Sequence, residues 1–261
     1  MHPKGLNMLI VISPAKKLDT ETPAPTREYS QPALLQYSQQ LVDILREMDS
    51  FALAELMKLS MKLADLNMHR FQQWQPPFTL ENAKQALFMF RGDTYIGLDA
   101  DTLDEDDLRF AQQHLRILSG LYGLLRPLDL IQPYRLEMGT RLANPKGANL
   151  YAFWDNLITE MLNREASSPS EVLINLASNE YFKAIKPKLF HGAIITPVFK
   201  EARANGLKTI GLFAKRARGM MARYIIRHRL REPDAIQAFN EGGYAFAPEL
   251  SSAREWVFVR G

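Results

Sequence analysis

The run Met8-Leu-Ile-Val-Ile12 is continuous, apolar and rich in β-branched side chains, and it ends abruptly at Ser13-Pro14. A run of that length without polar alternation describes a strand buried inside a sheet. Leu115 to Leu118, Glu171 to Leu176, Ala193 to Phe199, Lys208 to Phe213 and Glu255 to Val259 read as further strands, with Ala204-Asn205-Gly206 as a hairpin turn between two of them. Between these runs the period changes to that of helices: Leu34 to Met48, Phe51 to about Leu66, Tyr151 to Asn163, and a segment ending near Leu230. Thr102-Leu-Asp-Glu105 has the form of a capping box, opening a helix that runs to His114. Asp19 to Pro32, with three prolines, predicts an extended surface loop, and Trp74-Gln-Pro-Pro-Phe78 a break. Alternating elements without a repeat or a linker predict one α/β domain (mixed α+β), a mixed sheet flanked by helices, over residues 8–261. Residues 1–7 read as an extension before a second methionine, Met8.

Cysteine is absent, which removes disulfides, thiolate metal sites and cysteine nucleophiles. The apolar run at Met8–Ile12 is too short for a signal-peptide core or a membrane span. A cytoplasmic monomer with no membrane partner is expected. The five histidines (His2, His69, His114, His191 and His228) show no ligand spacing. No metal and no cofactor is therefore expected. The acidic run Asp99 to Asp107 reads as favourable charge in a first helical turn rather than as a cation site.

Charge is strongly segregated. Lys183 to Arg231 holds thirteen Lys and Arg residues against one acid, Glu201, a formal +12 in 49 residues of a chain that totals +3; the remainder therefore carries −9. Such a field attracts polyanions with little need for specific contacts, unless acids elsewhere in the chain neutralise it. On a helical wheel Phe213, Ala217, Met220, Met221, Tyr224 and His228 form one stripe. Arg216, Arg223 and Arg227 edge that stripe, and Lys215, Arg218 and Arg229 lie on the far side. Gly219 sits mid-helix at a cost of roughly 1 kcal/mol relative to Ala, which fits a backbone or ligand approaching closely. Upstream, Tyr181 and Phe182 interleave with Lys183, Lys186 and Lys188, either as core residues or as a stacking surface.

Two loops carry other candidate chemistry. Ser13-Pro-Ala-Lys16-Lys17 follows the first strand directly, where open α/β sheets bind ligands, and supplies a hydroxyl and two ammonium groups. It has no Walker glycines, so nucleotide hydrolysis gains no support. The irregular stretch from Ser119 gathers Arg126, Asp129, Arg135 and Glu137, but Ile117 stands where a nucleophile elbow needs glycine. Between Leu53 and Trp74 two short helices are expected to meet around Leu63 to Asn67, with Arg70 on the second.

Read in order, Ile12-Ser-Pro-Ala-Lys-Lys-Leu-Asp19, Arg91-Gly-Asp-Thr-Tyr-Ile-Gly97, Leu118-Ser-Gly-Leu-Tyr-Gly123, Arg126-Pro-Leu-Asp129, Pro133-Tyr-Arg-Leu-Glu-Met-Gly139, Asn175-Leu-Ala-Ser178, Glu180-Tyr-Phe-Lys183 and Ala214-Lys-Arg-Ala-Arg-Gly219 resemble the YaaA peroxide-stress family of bacterial proteins. The resemblance covers nearly everything from Met8 onward. It implies a role in limiting iron-driven oxidant damage under hydrogen peroxide, an uncommon α/β fold with a positively charged cleft, a helix-hairpin-helix element, and affinity for DNA. The hairpin glycines usual in such an element are missing here.

These observations lead to an expectation of DNA binding by phosphate contacts and shape, using Lys16, Lys17, Lys183, Lys186, Lys188, Lys215, Arg216, Arg218, Arg223 and Arg227. No catalytic residues are assigned. The alternative is an enzyme for a phosphorylated small molecule or nucleotide. In it Ser13, Lys16, Arg126 and Arg135 lie around the anion, and Asp129 or Glu137 supplies acid–base chemistry.

Overall fold

The apolar runs become neighbours in one sheet. The structure, a computed structural model, describes residues 8–166 and 171–261; the expected extension at residues 1–7 lies outside them. Strands β1 (Met8–Ile12), β2 (Leu115–Ser119), β3 (Gly123–Leu125), β4 (Val172–Leu176), β5 (Ala193–Arg203), β6 (Gly206–Lys208), β7 (Tyr244–Phe246) and β8 (Glu255–Arg260) form an eight-stranded sheet. Its order is β7-β8-β5-β4-β1-β2-β3, with β6 paired to β5. The five central strands are parallel, and β3, β6 and β7 add antiparallel pairings at the margins. Ile10 sits in register with Leu115 on one side and Ile174 on the other. All five residues of β1 are buried, as expected of a strand without polar alternation.

Parallel neighbours need long crossovers, which the helices supply. The α-helices of five residues or more are α1 (Leu35–Arg46), α2 (Ser50–Met57), α3 (Met61–Gln73), α4 (Asp93–Leu98), α5 (Glu105–His114), α6 (Leu150–Trp154), α7 (Leu157–Glu165) and α8 (Gly211–Arg227), and single turns stand at Ala86–Met89 and Asn179–Phe182. Two short ladders tie loops to this frame: Lys17–Leu18 pairs with Phe90–Arg91, and Lys84–Gln85 with Leu130–Ile131.

Several local expectations are corrected. Asp104, not Thr102, caps α5: its Oδ1 accepts from the Asp107 amide at 2.8 Å, while the Thr102 hydroxyl donates to Asp99. Asp155, at φ 41°, breaks the helix expected over Tyr151 to Asn163 into α6 and α7. The strand expected over Lys208 to Phe213 ends at Lys208, and α8 begins at Gly211. Ile210-Gly-Leu-Phe213 is too short an apolar run for its periodicity to separate strand from helix. The helix pair turns at Lys58–Ser60, so Leu63 to Asn67 lie inside α3. Lys58 takes the left-handed conformation (φ 53°) that glycine usually fills. Asp49 caps the start of α2 and Ser60 the start of α3.

The buried face of α8 is also rotated from the expected stripe. Ala214, Ala217, Met221, Ala222, Ile225 and Ile226 are buried, whereas Tyr224 is half-buried and His228 exposed. Small residues face inward because α4 crosses α8 at backbone contact. A Cβ on Gly219 would lie 1.8 Å from the Thr94 carbonyl oxygen, which accounts for the mid-helix glycine.

Candidate functional site

From the centre of the sheet the chain leaves β1 toward β2 on one side and leaves β4 toward β5 on the other. Connections that diverge from adjacent parallel strands leave a crevice at the strands' carboxyl ends, the usual ligand position in open α/β sheets. A cavity of about 720 Å³ lies there, lined by residues 13–17, 91–95, 134–137, 176 and 178–181, together with Lys215 and Arg218.

Its floor is cross-linked. The Ser178 amide donates to Ser13 Oγ at 2.9 Å, and Ser13 Oγ donates to Ser178 Oγ at 3.3 Å, joining the ends of β1 and β4. The Tyr95 hydroxyl donates to the Ser13 carbonyl at 3.1 Å. Tyr95, Tyr134 and Tyr181 are buried beside the cavity, and burial raises the pKa of all three, so they stay neutral. Tyr134 shares a 2.6 Å hydrogen bond with Ser119 Oγ, fixing the strand end to the 133–137 loop.

Six cations and three carboxylates line the cavity. Some are already matched. Glu137 holds Lys16 at 2.8 Å through Oε2 and Arg135 at 3.0 Å through Oε1. Arg91 pairs with Asp19 and Asp101. Lys17, Lys215 and Arg218 have no carboxylate within ion-pair distance among the described residues, and neither Asp93 nor Glu180 has a cation. Among the described residues Glu180 Oε1 accepts only from the Gly139 amide, at 2.9 Å. Arg218 is half-buried, and desolvation lowers its pKa without a counter-charge to oppose it.

Of the residues expected from sequence, the cavity brings together Ser13, Lys16, Lys17, Arg135, Glu137, Lys215 and Arg218. The others lie elsewhere. Arg223 pairs with Asp99 and Arg227 with Asp107; Arg229 reaches both Asp106 and Asp107. The acidic run and the carboxyl half of α8 therefore neutralise each other. Arg216 is exposed away from the cavity lining. Lys183 packs over the Tyr151 ring at 4.8 Å, and Lys186 and Lys188 stand on the following turn, outside the lining. Arg126 and Asp129 form a separate structural cluster. Asp129, 1% exposed, accepts from Ser30 Oγ at 2.6 Å and from the Arg126 amide at 2.8 Å, and pairs with the Arg126 side chain at 3.2 Å. Desolvation raises its pKa, against the lowering effect of those partners.

The sequence alone pointed to no role for Arg91, Asp93, Tyr95, Tyr134, Ser178 and Glu180, and left Tyr181 between the core and a stacking surface; it is buried. Each belongs to a segment that carries the family resemblance, and that clustering is the signal that would have located them. Among the described residues no group of three His, Asp or Glu side chains is placed to hold a metal ion, and no helix is long and apolar enough to cross a membrane. The arrangement offers positive charge, hydrogen-bond donors and two unmatched carboxylates. Ser13 Oγ is engaged with Ser178.

Fold and cavity define a mixed α/β protein with a largely cationic cavity at the carboxyl edge of a mainly parallel sheet. The comparisons then place it. Residues 8–250 match the family model described as peroxide stress protein YaaA, and the chain belongs to that family. It is 58% identical to a UPF0246 protein of Magnetococcus marinus over 254 residues, 97% of this chain and 99% of that one. A UPF0246 protein of Shewanella baltica is 57% identical, and one of Cellvibrio japonicus 56%, over the same length.

Proposed function

We propose that this peroxide-stress family member binds DNA through phosphate contacts at the cavity rim, recognising shape and distortion rather than base sequence, and so helps limit iron-driven oxidative damage to DNA. The carrying observation is that Lys17, from the loop after β1, and Lys215 and Arg218, from the first half of α8, reach one cavity with no carboxylate in ion-pair distance of any of them among the described residues. Unmatched cations beside a low-dielectric wall attract phosphate more strongly than the same charges on an open surface. Guanidinium and ammonium donors then form charge-assisted hydrogen bonds to it. The compact turn between α2 and α3, formed by left-handed Lys58 and the Ser60 cap of α3, is available as a second contact to a backbone. The test is duplex affinity of a variant carrying Lys17→Ala, Lys215→Ala and Arg218→Ala. A loss of about tenfold or more supports the reading. Unchanged affinity overturns it.

A second reading, an enzyme for a phosphorylated small molecule, is favoured by the concave shape and by Lys16, Arg135 and Glu137 lying together inside it. It does not include Arg126 or Asp129, which form the separate cluster. Turnover of a phosphorylated compound abolished by Glu137→Gln in a folded variant would favour it over binding alone.

A further inference from the structure

We propose that the cavity takes one nucleoside phosphate, either free or as a single unstacked nucleotide of a DNA strand. This deepens the DNA reading and rests on its phosphate contacts; it names what enters.

Size sets the first limit. At about 720 Å³ the cavity falls within the range of small-molecule sites, roughly 300–1,000 Å³, and admits a nucleotide but not a duplex. A strand can deliver such a unit only by turning it out of the stack, which costs least at an unpaired or damaged position.

Charge sets the second. A bare anion inside the cavity would meet unmatched Asp93 and Glu180 as well as the Lys17, Lys215 and Arg218 that attract it. The lining is bipolar, so its ligand must be bipolar too: an anionic group for the cations, and N–H or O–H donors close by for the carboxylates. A nucleotide has both, its phosphate on one side and its sugar hydroxyl and base amino or ring N–H groups on the other.

The wall between them sets the third. Ala15, Leu136 and Leu176 join the buried Tyr95, Tyr134 and Tyr181 in an apolar lining. A flat base face is favourably buried against such a surface, where a sugar phosphate alone would leave it uncovered.

The experiment measures equilibrium binding of the whole chain, at one salt concentration, to four probes: inorganic phosphate, dAMP, a fully paired duplex, and that duplex with one extrahelical adenosine. The inference expects dAMP to bind about tenfold or more tighter than phosphate, which is the worth of one or two added hydrogen bonds with charged groups. It also expects dAMP to displace the extrahelical duplex, and that duplex to bind tighter than the paired one. Glu180→Gln keeps the acceptor for Gly139 and removes the charge; it should weaken dAMP binding while leaving phosphate binding unchanged or tighter. If phosphate equals dAMP, or Glu180→Gln changes nothing, the assignment is overturned. Duplexes that bind alike, with dAMP inert, would defeat this inference and leave the DNA reading standing. If dAMP binds and neither duplex does, the DNA reading fails and the cavity is a site for free nucleotides.

Discussion

Gly97 and Gly219 lie at the crossing of α4 and α8, and neither has room for a side chain. A Cβ on Gly97 would fall 2.1 Å from the Arg216 carbonyl oxygen, and one on Gly219 1.8 Å from that of Thr94. The obstructing atoms are backbone and cannot rotate away. This contact sets α8 against the 91–95 segment, and with it the position of Lys215 and Arg218 over the cavity. At an ordinary mid-helix site Gly→Ala stabilises by about 1 kcal/mol. Here Gly219→Ala should destabilise by about 2–3 kcal/mol, since the two helices must part. Denaturant unfolding checks the sign, and a stabilised variant would refute the close packing.

Arg223 is a structural cation, unlike its neighbours at the start of α8. Its Nη1 donates to the carbonyls of Leu98 at 3.1 Å and Asp99 at 2.8 Å, closing the carboxyl end of α4. Arg223→Ala should lower stability by about 1 kcal/mol and leave DNA affinity unchanged. Lys215→Ala should do the reverse. Comparing both variants by thermal unfolding and by DNA titration separates the two halves of one basic helix.

Asp129 holds its loop to Ser30 and Arg126 with hardly any exposure. Asp129→Ala strands a buried hydroxyl and an amide and removes the partner of a guanidinium. A loss of about 3 kcal/mol is expected, with DNA affinity at saturating folded protein unaltered. If affinity falls while stability holds, Asp129 belongs to the functional site after all.

Asp19 gives the protein an acid limb. Hydrogen bonds from the Thr22 amide, the largest effect, from the Glu21 amide and the Lys84 charge hold its pKa well below the usual carboxylate range, against the raising effect of burial. The folded pKa lies below the unfolded one, so the stabilisation is complete above about pH 5 and decays as pH falls below about 4. Asp19→Asn should flatten stability over that range and leave the difference between pH 6 and pH 8 unchanged. Unfolding free energies measured across pH 3 to 8 provide the check.

The α/β architecture is legible because β1 and β4 are short apolar runs ended by polar residues, and their burial on both faces needs no long-range information. The capping of α5 is less so: Thr102 and Asp104 both fit an N-cap, and only the preceding Ala100–Thr102 turn decides between them. At the site, Ser13 and Lys16 are visible because they follow a strand directly. Glu180 and Asp93 are not, since each looks like an acid in a helical first turn, and their role depends on loops meeting across the sheet edge. The basic segment misleads in the opposite way. Its charges are contiguous in sequence, but packing of α8 on α5 matches Arg227 and Arg229 to the acidic run and leaves Lys215 and Arg218 to the cavity.

The most direct measurement is the slope of log affinity for duplex DNA against log salt concentration, for the wild-type chain and for the variant with Lys17, Lys215 and Arg218 all changed to alanine. Each phosphate neutralised contributes about −0.9 to that slope, so three lost contacts should make the variant shallower by about 2 to 3. Equal slopes for the two proteins would mean that these three cations do not touch the backbone, and would contradict the account.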